Sequence, residues 1–158
     1  MTTTTNQPSV IDADELTVRR TISIEAPIEK VWAAITEPGH IAKWFGQSAV
    51  LDGAAVGASG VFSFEGHGDV PVRIEELDEP RMIAYRWSNE QADPNAPIDP
   101  NRSTLFRFTL EARDGGTQLT VVESGFETHT DPSSAMESHR GGWDAELDAL
   151  VAYLEGGS

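Results

Sequence analysis

Hydrophobic positions along this chain recur with two different periods, and the changes of period divide it into three stretches. In LTVRRTISIE (16–25), Val18, Ile22 and Ile24 share one face, the alternation of a strand. Ala26-Pro27 then opens a helix, because proline suits the first helical position. Ile28, Val31 and Ile35 give that helix an apolar stripe, and Pro38 ends it. A short second helix is predicted over His40 to Phe45, terminated by Gly46. From there the period is two. VFSFEG (61–66) aligns Phe62 with Phe64, and VPVRIEEL (70–77) aligns Val70, Val72 and Ile74. MIAYRW (82–87) aligns Ile83, Tyr85 and Trp87; TLFRFTLEAR (104–113) aligns Phe106, Phe108 and Leu110; TQLTVVES (117–124) aligns Leu119 and Val121. Turn residues separate these runs, and Asp114-Gly115-Gly116 is a strong hairpin signal. The connection 88–103, SNEQADPNAPIDPNRS, is long and rich in Pro, Asn and Asp.

After Gly125-Phe126 the helical period returns to the end. Asp131-Pro132 supplies an N-cap and a first-turn proline, and Ser134 with Glu137 offers a second capping box. Met136, Trp143, Leu147, Leu150 and Leu154 form a narrow stripe that also carries His139. Gly141 and Gly142 interrupt this helix, each costing roughly 0.5–1 kcal/mol relative to alanine. Close packing at Gly142, or a hinge that lets the Met136–His139 half move, would account for them. The whole pattern reads strand, two helices, a meander of strands and one long helix, an α+β arrangement in which that helix covers the sheet's apolar face.

Composition narrows the possibilities further. The 158 residues suit a single domain over 15–158, and MTTTTNQPSV with the residues to 14 reads as a disordered tail without signal-peptide character. No apolar run reaches the roughly 20 residues of a membrane span, so a cytoplasmic protein is expected. The formal net charge of −15 repels phosphate backbones and anionic lipid, which argues against nucleic-acid and membrane partners. Cysteine is absent, which excludes disulfides, thiol nucleophiles and thiolate metal sites.

Familiar catalytic constellations are missing. GASG (57–60) lacks the lysine and following helix of a phosphate loop, and Gly-x-Ser-x-Gly does not occur. His40, His67, His129 and His139 show no paired metal-ligand spacing, so neither metal nor cofactor is expected. Alternation does turn two polar residues inward: Glu123 extends the Leu119/Val121 face, and Arg20 extends the Ile22/Ile24 face.

Four strings, IEAPIEKVWAAITEPGHIAKWF, GVFSFEG, VVESGF and GGWDAELDALVAYLE, resemble in order and spacing the activator-of-heat-shock-protein-90-ATPase homologue family, of the START-like, polyketide-cyclase-like superfamily. The resemblance covers Val18 to Glu155 and implies a helix-grip fold. In that fold a curved antiparallel sheet of about seven strands wraps the C-terminal helix, two short helices close one end, and the first and last strands are neighbours. It also implies a cavity between sheet and helix for an apolar or amphipathic molecule. The expected lining is Trp44, Phe45, Phe62, Phe64, Val72, Ile74, Tyr85, Trp87, Phe106, Phe108, Glu123, Met136, His139 and Trp143. Paired first and last strands would let Arg20 meet Glu123, as an ion pair or as a polar anchor in the pocket. Ligand binding without catalysis is the leading reading, with Tyr85, His139 and Glu123 orienting the ligand. A cyclase- or aromatase-like enzyme in the same cavity is the alternative, using His, Tyr or an acid for proton transfer. A co-chaperone-like interaction domain in a stress response, with a protein partner, is the third; it lacks the extra N-terminal domain of the eukaryotic co-chaperones. Both a monomer and a homodimer fit the sequence, and loop 88–103 fits inert surface better than a lid.

Overall fold

The structure, a computed structural model, describes residues 6–64, 68–88 and 98–156. His67 and the central part of the 88–103 connection lie outside them. Eight strands form one antiparallel sheet: β1 (Val10–Asp12), β2 (Thr17–Ile24), β3 (Ser48–Leu51), β4 (Ser59–Phe64), β5 (Gly68–Asp78), β6 (Met82–Ser88), β7 (Ser103–Arg113) and β8 (Gly116–Ser124). Their spatial order is β1-β2-β8-β7-β6-β5-β4-β3. The sheet is curved around the long C-terminal helix, the helix-grip arrangement the resemblance implies. Two short helices, α1 (Ile28–Thr36) and α2 (Pro38–Trp44), follow β2, and α3 (Pro132–Glu155) closes the chain.

Local chemistry explains most of these elements. The burial of β2 alternates strictly, with Val18, Arg20, Ile22 and Ile24 inward, and β8 answers with Thr117, Leu119, Val121 and Glu123. Asp114 and Gly115 both have positive φ, 48° and 83°, the geometry of the two-residue turn that joins β7 to β8. Asp131 caps α3 by accepting from the Ser134 amide, and Pro132 occupies the first turn. Pro38 does more than end α1: it begins α2, where its missing N–H is no loss.

Two strands, β1 and β3, go beyond the six that alternation placed, which makes eight where the resemblance implies about seven. β3 has four residues and β1 three, too few for alternation to stand out from background. The expected tail over 1–14 is therefore ordered in its second half. Val10–Asp12 pair with Thr17–Arg19, and both the amide and the hydroxyl of Ser9 donate to Asp144 Oδ1 at 2.6 and 2.7 Å. The core between sheet and α3 is filled by Val18, Ile22, Ile35, Leu119, Val121, Leu147, Leu150 and a dense group of aromatic rings.

Candidate functional site: a buried glutamate on the helix-facing side of the sheet

Glu123 is fully buried near the end of β8, and its carboxylate collects donors from three elements. On α3, His139 and Trp143 are one helical turn apart, so both reach the same oxygen: His139 Nδ1 lies 2.8 Å and Trp143 Nε1 2.9 Å from Oε1. On the sheet side, Trp87 Nε1 of β6 donates to Oε2 at 2.9 Å, and the Thr104 hydroxyl of β7 makes a short bond to the same atom. Trp87 Nε1 also lies 2.7 Å from Thr104 Oγ1, which joins the two sheet donors. Burial pushes the Glu123 carboxyl up, but the charged His139 and the hydrogen bonds from His139, Thr104 and Trp143 outweigh it. The net effect holds it below the ordinary carboxylate range, so Glu123 is an anion in the core.

Aromatic rings surround this anion. Phe45 stacks on Trp143 at 5.7 Å and on Trp87 at 5.8 Å, while Phe106 lies 4.5 Å from Trp87 and 5.2 Å from Trp143. Phe62, Tyr85 and Phe108 continue the cluster, with Trp44 packed on Phe45 and Val72, Ile74 and Met136 buried beside it. The side chains expected to line a cavity thus touch one another. Phe64, Trp87 and His139 are only half-buried, and their rings follow in a row at 6.0 Å spacings.

The expected meeting of Arg20 with Glu123 does not occur. Strands β2 and β8 do pair, but their register sets Glu123 opposite Val18 and Arg20 opposite Val121. Arg20 turns to α3 and the N-terminal segment instead. It donates to the carbonyls of Gln7, Trp143 and Asp144 and pairs with Asp148 at 2.8 Å. Tyr85 is likewise spent elsewhere, because its hydroxyl donates to the Ile35 carbonyl at 2.7 Å. That bond ties α1 to the sheet and leaves the hydroxyl away from Glu123. Gly142 does not sit where backbone approaches closely: both glycines are exposed, and a Cβ at either would meet nothing within 4 Å. The packing explanation for Gly142 is therefore wrong.

Three contributors escaped the sequence reading. Thr104 has the same parity as Phe106 and Phe108, so extending that face by one step would have found it. Phe126 and His129 pack against His139, with ring centroids 5.1 and 5.9 Å away. They lie around a short turn, Phe126–Thr128, where no periodicity exists to place them. Among the described residues, no group of three or more His, Asp or Glu could hold a metal ion, and no helix is long and apolar enough to cross a membrane.

Residues 25–155 match the family described as activator of Hsp90 ATPase homolog 1-like protein. The chain belongs to that family. Among solved structures, this AHSA1-like chain is similar to protein MLL2253 from Mesorhizobium loti, at 26% identity and a TM-score of 0.74, over 90% of this chain and 98% of that one. It is also similar to DynU16, a protein in the dynemicin biosynthetic locus, at 26% identity and a TM-score of 0.70. That match covers 90% of this chain but 48% of DynU16, so the present chain spans about half the length of that relative. The Aha1 dimer from Colwellia psychrerythraea shares the fold, at 23% identity and a TM-score of 0.68 over 88% of this chain and 96% of that one. No curated protein matches the sequence.

Proposed function

We propose that this AHSA1-like domain binds an apolar or amphipathic small molecule between the sheet and α3, without catalysing a reaction. The ligand rests on the half-buried row Phe64, Trp87 and His139, with Phe45, Phe106 and Trp143 behind it. The observation that carries this reading is the anionic Glu123, held by four donors immediately behind that partly accessible row. A few fixed polar groups at the end of an apolar wall are what orients a small ligand. Phe64 and Trp87, both half-buried, are the rings such a ligand meets first. The similarity to a protein of a biosynthetic locus is consistent with a natural-product-like ligand.

A thermal-shift screen of aromatic and polyketide-like compounds tests this proposal. A binder should raise the melting temperature of the native protein, and His139→Ala should weaken that binder about tenfold, the loss of one polar contact at the anchor. Compounds that stabilise native and His139→Ala proteins equally would place binding elsewhere.

One observation favours a second reading, a cyclase-like enzyme. His139 is held by a carboxylate through Nδ1, the arrangement that orients an imidazole for proton transfer. Turnover of a bound compound that vanishes in His139→Ala while binding survives would select the enzyme over the binder.

A further inference from the structure

Helix α3 is held differently along its two flanks. At about 100° per residue, Asp144 and Asp148 fall on one side of the inward-facing Trp143, and His139, Gly142 and Glu146 fall on the other. The first flank is stitched to the N-terminal segment and β2. Ser9 bonds to Asp144, Arg20 pairs with Asp148, and the Glu25 amide donates to the Glu155 carboxylate at 2.8 Å. On the second flank His40 meets the Tyr153 hydroxyl at 2.7 Å, near the end of the helix. Closer to His139 that flank carries Glu146, half-buried and turned to the Gly46 amide. A Cβ at Gly46 would stand 2.9 Å from the Phe64 ring, so the Glu146 carboxyl lies beside the outer end of the row Phe64, Trp87 and His139. Gly142 completes a rim by lying between His139 and Glu146 on the helix, and the rings of Phe45 and Trp143 form the floor beneath it. Packing explains neither of two features of this rim. Burial pushes the Glu146 carboxyl up, the Gly46 amide offsets part of that, and no lysine or arginine among the described residues pairs with it. Gly142 weakens the helix, yet no neighbour uses the room it leaves.

We propose that the ligand of this site is an aromatic ring system carrying a protonated amine, its rings over Phe64 and Trp87, its body crossing Gly142 and its ammonium paired with Glu146. The inference rests on the ligand-binding reading above and names the class of ligand. Seven residues separate His139 from Glu146, about 10 Å along the helix, roughly the span of two fused rings and a short amine arm. Glu123 does not make this choice, because protein donors already fill both of its oxygens. An anionic ligand would be repelled by Glu146 and by a chain of net charge −15. An ammonium is drawn by both, and by the faces of the rim's aromatic rings.

Calorimetric titration of the full chain at neutral pH with three naphthalenes tests the class. They differ only in a short side arm, which is aminoalkyl, hydroxyalkyl or carboxyalkyl. The amine should bind most tightly and the carboxylate least. Glu146→Gln should weaken the amine about fivefold, the worth of one partly exposed ion pair, and leave the alcohol unchanged. Gly142→Leu should weaken amine and alcohol alike by filling the open space. Gly141→Leu, the same change on the side away from the rim, should weaken neither, with melting curves confirming that all variants fold. Binding that falls in His139→Ala but ignores both the charge of the arm and Glu146→Gln would overturn the class and leave the ligand-binding reading standing. So would an amine that does not bind while the thermal-shift screen finds other binders; a protein that binds no compound of either set would overturn both.

Discussion

A carboxylate loses hydration when buried and survives as an anion only where donors replace the water. Around Glu123 two indoles, a hydroxyl and an imidazole do so, two to each oxygen. A glutamine at this position has one oxygen, and its amide nitrogen would face two donors. Glu123→Gln should therefore destabilise the fold by about 2–4 kcal/mol, read from urea denaturation at neutral pH. The dependence on pH follows from sign. The native pKa of Glu123 lies below its ordinary value of 4.5, so its contribution is complete above 4.5 and is lost as pH falls through the lower native value. The stability gap between native protein and Glu123→Gln should narrow on acidification below pH 4.5; a gap that stays constant down to acid unfolding would show that charge is not what holds the site. Alternation alone was enough to turn Glu123 and Arg20 inward. It could not supply their partners, because register decides which residues stand opposite, and that is set by the hairpin turns and by where α3 crosses the sheet.

At the scale of elements, α3 is fastened to the sheet at points that flank or adjoin its two glycines. His139 and Trp143 bind Glu123 on the inner side, and Arg20 grips the carbonyls of Trp143 and Asp144 from β2. Arg20→Met keeps much of the aliphatic packing but removes the bonds to the Gln7, Trp143 and Asp144 carbonyls and the pair with Asp148, and should cost about 1–3 kcal/mol by the same denaturation assay. Gly141 and Gly142 lie on the outer surface with open space at their Cβ positions. Gly141→Ala and Gly142→Ala should each stabilise the protein by about 0.5–1 kcal/mol, and roughly additively, since neither has a contact to lose. A loss of stability at either position would mean that the helix meets something there. The helix itself was plain in the sequence from Asp131-Pro132 and the stripe through Trp143. Why glycines are tolerated was not, because a missing side chain looks the same in sequence whether it admits a neighbour or faces water.

For the whole molecule, most of the sheet, the two short helices and the covering helix were legible because nine of the elements are long enough to show a period or carry a turn signal. The AHSA1-like resemblance then supplied what periodicity cannot, the pairing of β2 with β8 across almost the full length of the chain. The edges β1 and β3 were missed for the opposite reason: three or four residues carry too little pattern. The candidate site was partly legible. Its rings and Glu123 were named in advance, whereas Thr104, the ring-to-ring contacts and the half-buried row Phe64, Trp87 and His139 came only from the structure. The most direct test of the account is to follow the indole N–H resonances of Trp87 and Trp143 by NMR during titration with an aromatic, polyketide-like compound. Ligand binding against the Glu123 anchor predicts that both resonances shift saturably while the indole of Trp44, bonded to the Ala34 carbonyl, moves least. Saturable binding that leaves the Trp87 and Trp143 indoles unmoved, with shifts scattered over the outer surface, would contradict it.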